Sequence, residues 1–491
     1  MKLLLTLGHN ASAILVDGQN VVCGYEEERL SGIKSDSSFP KLSIDKILHY
    51  YPNARYDVKT ICVSHWFWSY DLPESKYYQP KYLSANFPNA LIESISYDQT
   101  HHDLHAKSMW NFCDGDTSGL TIVADGFGNF GECLSIYIDG SLTHRSYDVE
   151  HSLGMMYQYA IGYLGMKENQ DEYKLLGYEQ QATGLFKHDV EVVINEVTHE
   201  VFDSLMSMSV MKADMNVVLK NTRESWYKTF EYITRGAKDR AKVAYFVQAV
   251  LERVMMRILE KYQVKNIKVS GGVFYNVKLN NMILRWSDHF EANPLAGDQG
   301  CALGFTSVRY NHLFWGKRCL NTLAVPTSYT DISTRGWTEV ITDSMEFGPR
   351  ALCHTSTLAL PLSEMVETIN ALNGRDTVMP MAPVCTIEYA VEHFADLHKV
   401  GKSKYFMIIA FDFSGDAEAI SGATHIDKDR GVHTCRIQVA TEKWLIDLLQ
   451  AFGGILINTS LNAHGQPILY DEAQYWMMKY IQRNVTSASQ S

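Results

Sequence analysis

The chain repeats its own plan. Residues 3–28 read as a strand, Leu3–Leu7, then a polar turn at Gly8-His9-Asn10, a second strand, Ala11–Val16, an Asp17-Gly18 turn and a third strand, Val21–Tyr25. Residues 120–147 follow the same order: Leu120–Ala124, the turn Asp125-Gly126-Phe127-Gly128, Cys133–Ile138, Asp139-Gly140 and Ser141–Tyr147. Asp-Gly between alternating apolar runs is a strong hairpin signal. Two copies of strand, Gly-rich polar turn, strand, hairpin and strand predict a duplicated, two-lobed α/β domain whose turns face each other across a cleft. The bland alternative is two unrelated β-meanders.

The rest of the chain is organised around that duplication. Ile44–Tyr51 and Leu104–Cys113 read as helices, and residues 198–262 as a long helical stretch. Ala241–Tyr262 in that stretch places Val243, Phe246, Val247, Val250, Leu251, Val254, Met255 and Ile258 near a 3.6 period. Strand Ile267–Val269 then runs into Ser270-Gly271-Gly272-Val273 and a helix from about Tyr275. A strand ending in small residues before a helix leaves N–H groups free for an anion. Ala324–Gly336 is rich in turn formers and marks a boundary, giving domains 1–330 and 337–491. Near the end, strand Gly454–Ile457 is followed by Asn458-Thr459-Ser460.

Composition excludes several classes. The 491 residues are 46% hydrophobic and 20% charged, with twelve prolines and no low-complexity tract, so the chain is neither disordered nor fibrous. The net charge of −12 excludes a surface that is basic throughout, though not a local basic patch. Nine scattered cysteines without a C-x-x-C pair predict free thiols in a reducing, cytoplasmic compartment. Neither a signal peptide nor an apolar run of about 18 residues is expected, hence no membrane partner.

Several residues carry chemistry. His101 and His105 are four apart at the start of a helix, so they share a face and suit one metal; a surface histidine cluster is the alternative. His102 points elsewhere. Further ligands would come from Asp125 and Asp298, each in a small-residue turn where an Asp also commonly bonds its own backbone. Ser270–Asn276 is a candidate phosphate cradle. Arg350, after Gly348-Pro349, can offer a fixed fork to a phosphate or carboxylate, or be a surface turn residue. His425 and Arg436 sit on β-like segments, and Asn458 and Ser460 end a strand with amide and hydroxyl groups. Glu26–Arg29 reads as a solvated strand end. Lys220–Lys242 carries seven basic and three acidic residues interleaved with Trp226, Tyr227, Phe230 and Tyr232. It reads as nucleic-acid contacts or as an amphipathic helix with inward aromatics.

Taken in order, these motifs resemble the O-carbamoyltransferase family, which includes nodulation-factor and aminoglycoside carbamoyltransferases. The resemblance runs through Gly8–Ala13 with Glu27-Glu28-Arg29, His101–Ala106, Asp125–Gly128, and His151–Gly154 with Asp171–Gly177. It continues through Ser270–Asn276, Gly297–Gly300, Glu346–Leu352, His425-Ile426-Asp427 and Asn458–Asn462. It implies an actin-like domain followed by a smaller YrdC-like α/β domain. It also implies two steps: carbamoyl phosphate and ATP give carbamoyl-adenylate and pyrophosphate, and the carbamoyl group then passes to an acceptor hydroxyl with release of AMP.

By resemblance, His101, His105, Asp125 and Asp298 hold a divalent metal, iron first, with manganese or zinc also suited to mixed imidazole and carboxylate ligands. Gly126, Gly128, Lys174, Gly271, Gly272 and Asn276 meet Mg-ATP. Arg350, Arg375, His425, Arg436, Asn458 and Ser460 meet carbamoyl phosphate, and His9 is the general base. The acceptor is a small sugar or nucleoside, or a hydroxymethylated base in DNA reached through Lys220–Lys242. A homodimer is also among the expected partners. The alternatives are a nucleotide-binding scaffold without catalysis and an N-carbamoylating enzyme of the tRNA threonylcarbamoyladenosine type. Two blocks depart from the family pattern. Cys353-His354-Thr355 replaces an Arg-bearing segment, and Asn373–Met379 puts neutral residues where a Lys and an Arg are expected, leaving Arg375 to rebuild the pocket.

Overall fold

In a computed structural model, residues 1–67, 72–96, 98–207, 215–320, 329–375 and 381–488 are described. The first lobe carries strands β1 (Lys2–Thr6), β2 (Ser12–Asp17), β3 (Asn20–Glu26), β4 (Thr60–Ser64) and β5 (Leu91–Ser94) in the order β3-β2-β1-β4-β5. The β1–β2 and β2–β3 pairs are antiparallel, and β1–β4 and β4–β5 are parallel. The second lobe has β6 (Leu120–Ala124), β7 (Leu134–Ile138), β8 (Ser141–Ser146), β9 (Asn266–Ser270) and β10 (His289–Ala292), in the order β10-β9-β6-β7-β8. Its pairings repeat the first sheet pair for pair. Each hairpin even carries a register shift, at Leu15/Val16 and at Ile136/Tyr137. The internal repeat is therefore a true structural duplication, the architecture of actin-like α/β domains.

The buried faces explain the patterning. Leu3, Leu5, Ala13 and Leu15 lie in the first lobe's core, and Leu120, Ile122 and Ile136 in the second's. At the second hairpin, Asp139 (φ 49°) and Gly140 (φ 78°) are both left-handed, as a two-residue turn between right-twisted strands requires. The helical stretch resolves into Gly184–Met206, Met215–Thr234 and Arg240–Tyr262. Val243, Phe246, Val247, Val250, Leu251, Val254 and Ile258 on the last of these are all buried.

The chain's last third forms a mixed sheet of β11 (Trp337–Ile341), β12 (Thr355–Ala359), β13 (Ala382–Cys385), β17 (Gln438–Val439) and β18 (Ile455–Ser460), in the order β11-β12-β18-β13-β17. A three-stranded sheet of β14 (Ala410–Phe413), β15 (His425–Asp427) and β16 (Val432–Arg436) lies beside it in sequence. Asn458-Thr459-Ser460 are the last residues of β18 rather than a turn after it. The helix expected from Tyr275 begins at Val277, because Gly272–Tyr275 first makes a 3-10 turn.

The Glu26–Arg29 segment corrects the sequence reading. Glu26, Glu27 and Arg29 are buried, not solvated. Glu27 accepts hydrogen bonds from the amides of Leu42 (2.9 Å) and Ser43 (2.9 Å), at the start of the helix Lys41–Tyr50. Arg29 donates to Glu26 (3.2 Å) and to the carbonyl of Gly348 (2.6 Å). Two motifs some 320 residues apart thus meet as one lock. All nine cysteines are free thiols. No helix of the described residues is long and apolar enough to cross a membrane.

Candidate metal centre and anion pocket

The two lobes place their functional residues just beyond the carboxyl ends of parallel strands. This is where open α/β sheets bind ligands. His9 follows β1, Asp125 follows β6, Gly271 follows β9 and Asp298 follows β10 by a short loop. The helix α1 (His101–Phe112) supplies His101 and His105 from its first turns. Its start is fixed by several partners. Thr100 and Asp103 form a capping box, the His101 amide donates to Asn129 Oδ1 (3.1 Å), and the His102 amide donates to Glu132 Oε1 (3.0 Å). The orphan amides of the helix end are thereby tied to the loop that carries Asp125.

His101, His105, Asp125 and Asp298 converge. His101 Nε2 lies 3.1 Å from His105 Nε2, 3.2 Å from Asp298 Oδ1 and 3.7 Å from Asp125 Oδ2. His105 Nε2 lies 3.3 Å from Asp125 Oδ2 and 3.6 Å from Asp298 Oδ1. A divalent ion bonded at about 2.0–2.1 Å separates neighbouring tetrahedral donors by roughly 3.3–3.4 Å. The observed spacings bracket that value. Both histidines are buried, and His105 Nδ1 has no hydrogen-bond partner. Burial opposes charge on both rings, but Cys301, Asp298 and Asp125 outweigh it and push both pKa values well above the usual range. Burial likewise opposes charge on Asp298, yet His101 and His105 hold its carboxyl well below the usual carboxylate range. Two imidazoles and two carboxylates closing on one point fit a divalent cation. His102 turns away and hydrogen-bonds Ser135 (2.9 Å), as its place on the helix predicts.

The other motifs of the first 330 residues support this cluster. Ser152 caps the helix α2 (Leu153–Tyr163) and donates to the carbonyl of Gly126 (2.6 Å), which fixes the Asp125 turn. Gly271 has φ 100°, and a Cβ there would sit 2.2 Å from the Ala124 carbonyl. Gly128 and Gly271 lie outside the cavity lining, where their missing side chains make room for protein. Gly126, Gly272 and Asn276 do line it. Asn276 also caps the helix Val277–Trp286, accepting from the Leu279 amide (3.0 Å).

One cavity of about 1310 Å³ unites the sites. Its walls include His9, Asp125, Lys174 and Asp298 from the two lobes and Arg350, Arg375, His425, Arg436, Asn458 and Ser460 from the chain's last third. His9 Nε2 is 4.0 Å from Asp298 Oδ2, and its side chain is 39% exposed to the cavity. Lys174 pairs with Asp171 (2.8 Å). Arg375 donates to Thr459 Oγ1 (2.7 Å), Ser460 Oγ (3.1 Å) and Asn462 Oδ1 (2.6 Å). Asp376–Met379 lie outside the described residues. Neither Arg350 nor Arg436 has a carboxylate partner among the described residues. Burial, and then the nearby charge of Arg350, hold the Arg436 guanidinium well below its usual range. Burial pushes His425 down to about 4, with Lys278 adding to the effect. Two guanidinium groups in one recess without a carboxylate partner among the described residues have the charge to suit an anion.

Sequence reasoning missed Cys301, which stands with His101, His105 and Asp298 as a group that could hold a metal ion, and the wall made by Trp66 and Phe127, whose rings lie 5.5 Å apart beside His9. The only local signal for Cys301 is its place three residues after Asp298, and it gains meaning only once α1 packs against it. The basic-aromatic segment divides: Tyr232 is exposed and Lys220 and Arg223 line the cavity. Trp226 and Phe230 are buried, while Lys238, Arg240 and Lys242 lie over Tyr163, Tyr178 and Phe186.

Two models of one family match this chain: carbamoyltransferase N-terminus over residues 93–306 and carbamoyltransferase C-terminus over residues 332–484. The chain belongs to the carbamoyltransferase family. The N-terminal match contains all four converging metal-site residues, and the C-terminal match contains Arg350, Arg375, His425, Arg436, Asn458 and Ser460. This carbamoyltransferase is 25% identical to nodulation protein NolNO of Sinorhizobium fredii, over 94% of this chain and 75% of that protein. It is 32% identical to the 3'-hydroxymethylcephem-O-carbamoyltransferase of Amycolatopsis lactamdurans over 127 residues, 25% of this chain and 23% of that one. Component A of (R)-2-hydroxyglutaryl-CoA dehydratase from Acidaminococcus fermentans aligns with 62% of this chain and 96% of its own, at 15% identity and a TM-score of 0.35. The chain is accordingly a transferase, and its carbamoyl-transfer chemistry is what the geometry has to support.

Proposed function

We propose that this carbamoyltransferase uses ATP to activate carbamoyl phosphate and transfers the carbamoyl group to an acceptor hydroxyl. The observation that carries this reading is the shared cavity, which brings the carboxylates of the candidate metal cluster together with two guanidinium groups that have no ion-pair partner among the described residues. Arg350 and Arg436 bind the phosphate of carbamoyl phosphate, helped by Asn458 and Ser460, and Arg375 braces that wall. His425, kept neutral by its surroundings, can donate or accept one hydrogen bond there. Carbamoyl phosphate, ATP and one water give carbamoyl-adenylate, orthophosphate and pyrophosphate. The Asp125-Gly126 turn, Gly272, Asn276 and Lys174 hold the nucleotide. In the second step the acceptor oxygen bonds to the carbamoyl carbon and the bond from that carbon to the AMP phosphate oxygen breaks. His9 takes the hydroxyl proton, and AMP leaves.

His101, His105, Asp125 and Asp298 are the residues that would hold a divalent metal, iron, manganese or zinc by donor chemistry. Such an ion supplies charge neutralisation for nucleotide phosphates. Domains at 1–330 and 337–491, the second YrdC-like, would divide the labour between transfer and adenylate formation. The wall of Trp66 and Phe127 beside His9 suits the flat apolar face of a ring-bearing acceptor, a small sugar or nucleoside. A small acceptor is preferred over DNA because Trp226 and Phe230 of the basic-aromatic segment are packed inside, which leaves Tyr232 as its one exposed aromatic among the described residues.

The test is mass spectrometry of hydroxyl acceptors incubated with protein, ATP and carbamoyl phosphate. One acceptor should gain one carbamoyl mass in the presence of both co-substrates. Gain without ATP, or none across sugars, nucleosides and hydroxymethylated pyrimidines despite AMP release, would refute the reading in its donor half or its acceptor half respectively.

A further inference from the structure

Beside the expected ligands His101, His105 and Asp298 lies a further potential donor, Cys301. Asp298 opens the 3-10 helix Asp298–Phe305, and Cys301 lies three residues on. Side chains three apart eclipse on a 3-10 helix. Asp298 and Cys301 therefore face the same way, onto the histidine face of α1, where His101 and His105 stand four apart. The two elements press close together: a Cβ on Gly304 would lie 2.5 Å from the Leu104 carbonyl. Cys301 is fully buried. Its sulfur is 3.9 Å from His101 Nε2 and 3.9 Å from His101 Nδ1. One donor atom each from His101, His105, Asp298 and Cys301 lies within 4.8 Å of all the others. Beside them, His105 Nδ1 is buried without a partner.

We propose that Cys301 is a protein ligand of the metal, its thiolate joining the imidazoles of His101 and His105 and the carboxylate of Asp298. This rests on the metal reading above. Coordination replaces the S–H bond by a metal–sulfur bond, and the thiol proton leaves to solvent. A thiolate is a soft donor, so it tilts the site toward zinc or iron and away from manganese or magnesium. Small differences in the packing of this buried cysteine would then tune which ion is kept.

The experiment is X-ray absorption on the full chain loaded with zinc. One sulfur at about 2.3 Å, beside nitrogen and oxygen at about 2.0–2.2 Å, is the expected result. Cys301→Ser should keep the zinc but lose the sulfur shell, and its zinc affinity should fall on the order of tenfold or more, the scale seen when groups around a metal are altered. Its manganese affinity should change far less. Zinc bound in one equivalent with nitrogen and oxygen alone would overturn the cysteine assignment and leave the metal site standing. A sulfur shell that survives Cys301→Ser would also overturn it. Zinc that fails to bind, or binds as well to His105→Ala, would overturn the metal reading itself.

Discussion

Arg350 and Arg436 face the same cavity, and neither is ion-paired to a carboxylate among the described residues. An uncompensated, recessed charge is destabilising until its ligand arrives. Arg436→Met is therefore expected to leave the melting temperature of the ligand-free protein unchanged or raise it, while abolishing the protection that phosphate gives the wild type. Differential scanning fluorimetry with and without inorganic phosphate reads both effects. A charge-assisted contact of about 1.5–3 kcal/mol corresponds to roughly a 10- to 150-fold rise in KM for carbamoyl phosphate. The histidines behave in the opposite sense. Loading a divalent metal should raise the melting temperature by mass action, and His105→Ala should remove that rise, because His105 Nε2 stands within 3.3 Å of Asp125 and 3.6 Å of Asp298.

Strand ends and the turns after them carry the site, and their tolerances follow from backbone geometry. Gly271→Ala would place a Cβ at φ 100° and 2.2 Å from the Ala124 carbonyl. Strain plus overpacking should cost roughly 2–4 kcal/mol, seen as a lower urea midpoint. The turns were legible in the sequence because Asp-Gly pairs and Gly-rich polar breaks have local causes. So was the amphipathic helix Arg240–Tyr262, whose period is written in its own residues. The Glu26–Arg29 segment was not legible, since its partners are Ser43 and Gly348 and nothing local announces them. Cys301 was missed for a related reason: a cysteine beside Asp298 acquires meaning only when α1 arrives against it. Of the four metal-site residues, the His pair was readable from helical spacing, whereas Asp125 and Asp298 were named through the resemblance and stand within 3.2–3.7 Å of the histidines in the fold.

At the scale of the whole molecule, the lock between the first lobe and the Glu346–Arg350 turn is the joint that sets Arg350 in place. Glu26 accepts from the Gly348 amide (2.9 Å), Arg29 donates to the Gly348 carbonyl (2.6 Å), and Arg29 lies 3.9 Å from Glu346. Glu346 in turn accepts from the amides of Leu352 (2.8 Å), His354 (2.9 Å) and Thr355 (2.9 Å). The departure from the family pattern at Cys353-His354-Thr355 thus still wraps a buried carboxylate. Arg29→Met should cost about 3–5 kcal/mol by stranding those acids. Burial pushes the Glu26 carboxyl up to about 7 from 4.5, with Arg29 opposing the rise. The folded chain then holds a proton that the unfolded chain has lost. This stability is present in full below pH 4.5 and is lost as pH rises through about 7. Glu26→Gln should flatten that decline, as urea midpoints on either side of the window would show. The activation step is tested most directly by the nucleotide formed when the metal-loaded protein is mixed with ATP and carbamoyl phosphate. Pyrophosphate and carbamoyl-adenylate, the latter hydrolysing to AMP when no acceptor is present, are expected, dependent on carbamoyl phosphate and lost in Arg436→Met. ADP, or ATP left intact, would contradict that step.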